Sequence, residues 1–242
     1  MPAELDALRG VATATLATIM TERGYPQQFL AGLQSLGGRG SFAGYAYTMR
    51  LIPARPDLAD APGVDRFRWA LDEVPADHVV VVDSMRDGRG ACFGEMLVRR
   101  LVARGVAGVV SDGSIRDADQ LRTLDIGVRA GSVNASSRSP FFALAGIQES
   151  ITCAGVAVLP GDVLVGDGDG VVVVPRAMAA ELAEAGRTKE EFEEYVALRL
   201  GQGAPLRTTY PPDEQTRLGY ADWVSRGRPA GDGAIPPQPQ AH

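Results

Sequence analysis

Two groups of residues in this chain have the types and spacing to do chemistry. The first is a turn at 94–97, made of Gly94, Glu95, Met96 and Leu97, where an extended segment passes into a helix. The first amides of a helix have no intrahelical acceptors, so those of Glu95, Met96 and Leu97 are available to a carboxylate or phosphate. The second is the pair Arg116 and Asp117, whose aspartate follows Glu95 by 22 positions. Arginine is always charged and its planar fork suits a carboxylate or a developing enolate, while the adjacent aspartate offers a hard oxygen to a divalent cation. The two groups bracket one strand, which places both at the carboxyl ends of neighbouring parallel strands, where α/β sheets bind ligands. Plainer roles compete: Glu95 suits a first helical turn through the helix dipole alone, and Asp117 can serve as the N-cap of a following helix.

What the chain lacks narrows the chemistry. Its 242 residues include two histidines, His78 and the final residue His242. A zinc site built on several histidines is excluded, and a Ser-His-Asp hydrolase survives only with His78 as its base. Cys92 and Cys153 show no CxxC spacing and read as buried thiols in a reducing compartment. A formal net charge of -6 argues against nucleic acid as a partner. Glu4 and Asp6 replace a basic leader and no apolar run approaches membrane-spanning length, so neither a secretory signal nor a membrane partner is expected, and the expected location is cytoplasmic.

The elements that must position the two groups follow from periodicity. Residues 11–23 place apolar side chains at helical spacing and stop at Gly24 and Pro26, and residues 41–52 alternate as a strand. Pro53, Pro56 and Pro62 punctuate a loop holding Asp57 and Asp60, followed by a helix over 63–74. The run from His78 to Asp83, HVVVVD, is too uniformly apolar for a half-exposed strand and is expected to be buried on both faces. A Gly-rich turn at 87–90 leads to an amphipathic helix over 95–104 and a second buried strand over 106–110, ended by Ser111, Asp112, Gly113 and Ser114. Strand, helix, strand implies a right-handed crossover and a parallel pair. A short helix over 118–124, a strand over 127–133 and three short strands within 156–175 follow. The GDGDG run at 166–170 reads as a meander turn, since neither a Lys-Ser/Thr helix start nor a bidentate Glu follows it. A long charged helix occupies 175–200, and 226–242, with four prolines and three glycines, reads as a tail without a fold.

The stretch FGEMLVRRLVARGVAGVVSDGSIRDADQL at 93–121 resembles the signature of the class II 4-hydroxy-4-methyl-2-oxoglutarate aldolase family, which includes the regulator of ribonuclease E activity. The segment VAVLPGDVLVGDGDGVVVVP at 156–175 is similar to that family's closing strands, and a weaker likeness runs from about residue 11 to the long helix. The expected organisation is therefore a family domain at 1–200 and an extension at 201–242, flexible at its end. The resemblance implies an α/β fold, a swivelling-domain-like α/β/β/α sandwich with a mixed sheet, assembled as a homotrimer or homohexamer with sites at subunit interfaces. It also implies that the amides of the turn from Gly94 through Glu95, Met96 and Leu97 hold a substrate carboxylate. Arg116 then contacts the substrate oxygen and Asp117 holds a magnesium or manganese ion. The implied activity is cleavage of 4-hydroxy-2-oxo acids to pyruvate and a second carbonyl compound, with oxaloacetate decarboxylation through the same enolate. A decarboxylase of another 2-oxo or sugar-derived acid, and a non-catalytic ribonuclease E inhibitor acting by protein contact, are the alternatives.

The chain departs from the family pattern at Gln120, where an acidic residue is frequent, although Asp119 precedes it. It departs again at Gly201, Gln202 and Gly203, near where a neighbouring subunit is expected to lend an acid. The expected acceptor of the 4-hydroxyl proton is thus a metal-bound water assisted by Asp117, Glu95, Asp112 or Asp119. His78, at the head of a buried strand, reads as structural.

Overall fold

The computed structural model describes residues 1–38, 40–58 and 65–229. Expectations placed on Asp60, Pro62, Gly63 and residues 230–242 fall outside them. Two short helices open the chain, α1 (Ala3–Arg9) and α2 (Thr13–Glu22), followed by β1 (Gln34–Ser35) and the long β2 (Phe42–Pro53). Then come α3 (Arg66–Glu73), β3 (His78–Asp83), β4 (Ala91–Phe93), α4 (Glu95–Ala103), β5 (Gly108–Ile115), α5 (Ala118–Leu121) and β6 (Gly127–Val133). Five further strands follow: β7 (Phe142–Ile147), β8 (Ile151–Cys153), β9 (Val156–Val158), β10 (Val163–Gly166) and β11 (Val171–Val174). The chain then forms α6 (Ala179–Gly201), α7 (Leu206–Thr209) and α8 (Glu214–Ser225).

The fold is α/β with a mixed sheet. Strands β2, β3, β5 and β6 run parallel at its centre, and the antiparallel strands β10, β11, β1 and β7 extend its sides. The expected parallel pair around α4 is present as β3 and β5. The HVVVVD run shows why it carries no polar alternation. Val80 and Val82 pack with Phe67 and Leu71 of α3 and Val98 and Leu101 of α4. Val79 and Val81 enter a second cluster with Cys153, Val156 and Val158 of the β8–β9 hairpin. Both faces are covered, so every side chain between His78 and Asp83 must be apolar. A third cluster packs α1, α2 and the start of α6 on Val163, Val165, Val172 and Val174. Phe42 lies where β-carbons on Gly108, Gly127 and Gly166 would stand 2.9, 2.1 and 2.4 Å from its ring, so three strands omit a side chain to admit it.

One expected boundary is corrected. The strand read at 106–110 and ended by Ser111 to Ser114 instead continues as β5 through Ile115, fully buried. Its polar residues are tolerated there because each finds a partner. Asp112 accepts from the amide and hydroxyl of Ser84 at 2.8 and 2.9 Å, and Ser114 Oγ donates to the Gly88 carbonyl at 3.0 Å. A register irregularity between Ser111 and Ser114 fits the extra residue. The helix expected over 118–124 is shorter, and α1, β1, β4, β7, β8, α7 and α8 were not anticipated.

The chain divides into two compact units, Met1–Gly186 and Arg187–His242, with the boundary inside α6; the expected boundary lies 14 residues further on, at 200. The first unit holds the sheet. In the second, Phe192, Tyr195, Tyr220 and Trp223 form a chain of ring contacts with centroids 4.9 to 6.1 Å apart. No helix among the described residues is long and apolar enough to cross a membrane.

Candidate active site

The structure brings the turn at 94–97 and the Arg116-Asp117 pair into one place. Strand β4 pairs in parallel with the end of β5, and the Arg116 amide donates to the Phe93 carbonyl at 2.9 Å, so α4 starts directly beside the pair. Gly94 is the N-cap of α4 and contributes no side chain. A β-carbon there would stand 2.6 Å from Asp117 Oδ2 and 2.9 Å from Arg116 Nε. Glycine there gives the two charged side chains room to approach the start of α4, and its extended backbone has no need of glycine's conformational freedom.

Asp117 does occupy the N-cap position of α5, but its carboxylate makes no capping bond to that helix. Its backbone is left-handed, φ 60° and ψ 38°, a conformation Asp tolerates better than most residues. In that conformation Oδ2 accepts the Glu95 amide of α4 at 3.0 Å and lies 3.7 Å from Arg116 Nε. One of the three amides read as a carboxylate cradle is thus already engaged by Asp117. Among the described residues, no protein acceptor is placed on the amides of Met96 and Leu97. The side chains of Arg116 and Asp117 remain 45% and 40% exposed, so both can reach a ligand.

These residues line a cleft of about 350 Å³. Its lining includes Phe93, Gly94, Met96, Leu97, Arg116 and Asp117, together with Asp65, Arg68, Ser137, Arg138 and Ser139. The second group was not anticipated. Its signal in the sequence was a lone arginine in the serine-rich loop NASSRSP after β6, which periodicity cannot distinguish from any surface loop.

The other proton-acceptor candidates lie elsewhere. Asp112 is buried in the hydrogen bonds to Ser84, with the Ala154 amide 3.4 Å from Oδ2, on the face that packs against the β8–β9 hairpin. Asp119 is 91% exposed and paired with Arg122 at 2.6 Å, and Glu95 is bound by Arg99 at 2.7 Å. His78 begins β3, at the opposite end of the parallel strands, with Nδ1 2.9 Å from the Ala76 carbonyl and its ring edge-on to Tyr45. Cys92 and Cys153 are free and buried, and burial pushes the Cys92 thiol up to about 11, so neither is a nucleophile. Asp167 of the GDGDG run binds the amide and hydroxyl of Thr13, both at 2.7 Å, which makes that run a structural turn.

Residues 13–173 match the model of the RraA-like family, described as Aldolase/RraA. The chain belongs to this family. A Thermus thermophilus relative named 4-hydroxy-4-methyl-2-oxoglutarate aldolase is 32% identical over 142 residues, covering 59% of this chain and 80% of the relative. A Halalkalibacterium halodurans relative is 31% identical over 127 residues, which is 52% of this chain and 59% of that protein, so the match spans about three fifths of its length. Among solved family structures, Streptomyces coelicolor RraAS2, described as an unusual member of the RNase ES inhibitor RraA protein family, superposes with a TM-score of 0.75. It is 32% identical, with 82% of this chain and 98% of that one covered. The cleft at Arg116 falls within the matched segment.

Proposed function

We propose that this chain is a lyase that cleaves 4-hydroxy-2-oxo acids to pyruvate and a second carbonyl compound. The observation that carries the reading is the meeting of Arg116, Asp117 and the open amides of Met96 and Leu97 in one cleft. A 2-oxo acid needs a carboxylate holder and a cation at its ketone oxygen, and this cleft offers both. The α4 amides take the carboxylate, aided by the positive end of the helix. Arg116 donates to the C2 oxygen. Loss of the 4-hydroxyl proton forms the new carbonyl as the C3–C4 bond breaks, and its electron pair becomes the C2–C3 double bond of the pyruvate enolate. Arg116 stabilises the negative charge on that oxygen, and protonation at C3 gives pyruvate. In oxaloacetate, carbon dioxide leaves in place of the carbonyl fragment and the same enolate forms, so decarboxylation is an expected side activity.

The donor set fits a magnesium or manganese ion better than zinc. Asp117 supplies one hard carboxylate oxygen, and among the described residues no group of three or more His, Cys, Asp and Glu gathers as a metal site. Magnesium is commonly held by one or two carboxylates, with water and substrate completing its shell. Asp117 would hold the ion, which would supply Lewis-acid stabilisation of the 2-oxo acid. Asp117 is also the carboxylate in the cleft not committed to an arginine at hydrogen-bond distance, which makes a water beside it the acceptor of the 4-hydroxyl proton. Assembly as a trimer or hexamer in the cytoplasm belongs to the same reading, and a monomer by light scattering would remove any contribution from a neighbouring subunit.

The test is pyruvate release from oxaloacetate and a panel of 4-hydroxy-2-oxo acids, with magnesium, with EDTA, and with Arg116→Ala. Turnover is expected with magnesium, to be lost on chelation, and to fall about 100-fold or more in Arg116→Ala, in line with removal of an oxyanion donor. Turnover that survives either change would defeat the mechanism. The likeness to RraAS2 supports a second reading, a regulator that acts by contact with a ribonuclease. Absence of turnover together with inhibition of ribonuclease E cleavage by this protein would favour it.

A further inference from the structure

Helix α3 also borders an open groove of about 470 Å³ that shares no lining residue with the cleft at Arg116. Tyr47 of β2 and Ile147 of β7 line it from the sheet, and Arg66, Trp69 and Glu73 line it from α3. Residues 66, 69 and 73 recur at spacings of three and four, so they form one stripe along the helix. The buried face of α3 is made by others, Phe67 and Leu71, with Val74 just beyond its end. Trp69 is left 60% exposed, although burying an aromatic ring is among the largest gains a side chain can bring to a fold.

The charges of α3 run against its dipole. After the N-cap Asp65, Arg66 and Arg68 stand in the first turn, and Asp72 and Glu73 in the last, which holds no basic residue. Acids at a helix C-terminus add to the partial negative charge already there. The cations nearby are spent elsewhere: Arg100 of α4 pairs with Asp72 at 2.7 Å, and Arg104 Nε donates to the Val74 carbonyl at 2.9 Å. Arg66 stands seven residues before Glu73, about 10 Å along the axis, too far to neutralise it. Among the described residues, no cation pairs with Glu73 and nothing hydrogen-bonds the Tyr47 hydroxyl. Tyr47 is 7% exposed, and burial together with the Glu73 charge pushes its pKa up, so it is a neutral phenol with an oxygen free to accept. A buried phenol without a partner and a carboxylate without a cation thus share one groove with an exposed indole.

We propose that this groove binds a small organic amine as its ammonium ion, with the apolar body against Trp69 and Ile147 and the charge between Glu73 and the Tyr47 oxygen. An ammonium ion gains from aromatic faces, from the carboxylate and from the helix C-terminus, whereas an anion is repelled by the last two. A volume of about 470 Å³ lies within the range of small-ligand pockets. The site depends neither on the lyase reading nor on a metal. A second copy of the chain seated on Trp69 is the competing occupant, and the experiment decides between them.

The probe is phenethylamine, set against 2-phenylethanol and 3-phenylpropanoate, which have nearly the same body and carry no charge or a negative one. Binding to the full chain at neutral pH is read by calorimetry. The amine should bind at least about tenfold more tightly than either control. Glu73→Gln should weaken the amine about tenfold and leave 2-phenylethanol within about twofold, which also shows that the groove is intact. Trp69→Ala should weaken both by about tenfold, and Tyr47→Phe the amine alone by about threefold. Controls that bind as tightly as the amine, or amine binding that Glu73→Gln leaves unchanged, would overturn the proposal. Absence of amine binding up to about 10 mM, on the order of 3 kcal/mol, would do the same. If, in addition, Trp69→Ala shrinks the assembly in light scattering, the groove belongs to a second copy of the chain. Should Tyr47→Phe fail a thermal-unfolding check, Glu73→Gln at an exposed position carries the comparison.

Discussion

Two places in this protein are built from the same parts. At each, an aspartate accepts the first free amide of a helix that is distant in sequence, and an arginine lies close by. In the turn between β10 and β11, Asp167 takes the Thr13 amide of α2 and the Thr13 hydroxyl, and also the amides of Asp169 and Gly170 at 2.9 and 3.4 Å. The arginine there, Arg129, is 1% exposed and donates to the carbonyls of Asp167, Gly40 and Val128 at 2.6, 2.9 and 3.1 Å, with its plane near the Phe42 ring. At the cleft, the Asp117 carboxylate takes the Glu95 amide alone, and the half-exposed guanidinium of Arg116 lies 3.7 Å from Asp117. The parts differ in how far they are satisfied. A pair that spends most of its hydrogen bonds on the backbone, with its arginine buried and only Arg129 Nε left over, holds elements together, whereas an accessible pair with few bonds keeps its hydrogen-bonding capacity for a ligand.

That contrast can be broken from either side. Arg129→Ala should cost the most, about 3 to 4 kcal/mol of folding stability by chemical denaturation, because three carbonyls lose their donor and a cavity opens beside Phe42. Arg116→Ala should show the reverse pattern, the loss of turnover already described with stability within about 0.5 kcal/mol of wild type. A stability loss comparable to that of Arg129→Ala would make Arg116 a structural residue. Gly94→Ala should reduce turnover roughly tenfold with little effect on the midpoint of unfolding, since the new methyl group displaces Arg116 and Asp117 by a fraction of an ångström. Unchanged kinetics would mean that the close approach at Gly94 has no catalytic consequence.

The smallest effect belongs to Asp167→Asn, about 1 kcal/mol at neutral pH, and it carries a pH signature. Burial works to raise the Asp167 pKa, but bonds from the Thr13 amide and hydroxyl and from the Asp169 and Gly170 amides overcome it and hold the carboxyl below the usual aspartate value. A depressed folded value stabilises the fold above the unfolded pKa of about 3.9 and loses that contribution as pH falls through the folded value. The stability gap between wild type and Asp167→Asn should therefore be constant near pH 6 to 7 and close below about pH 4. A gap that widens on acidification would reverse the assigned sign.

The elements with strong local signals were legible in the sequence. His78–Asp83 and Gly127–Val133 are strands where β-branched runs and glycine boundaries placed them, and α4 starts at Glu95 after Gly94. The end of β5 was not legible, because Ser111, Asp112, Gly113 and Ser114 are turn-formers by composition. They continue a strand because Ser84 and Gly88, far away in the chain, supply their hydrogen-bond partners. The short strands β4, β7 and β8 were missed for a related reason: six residues or fewer carry little periodicity, and their stability comes from pairing.

At the site, the sequence by itself determined the chemical types: a helix start preceded by glycine, and an arginine joined to an aspartate at the end of a buried strand. These are local properties of residue type and spacing. Tertiary structure decided that Asp117 turns from its own helix to the amide of α4, that Asp112 faces the other side of the sheet, and that Arg138 joins the cleft from a loop beyond β6. The physical reason is the same in each case. Where a polar side chain goes depends on which donors and acceptors are still unsatisfied once the strands have paired, and only the folded chain brings those partners within reach.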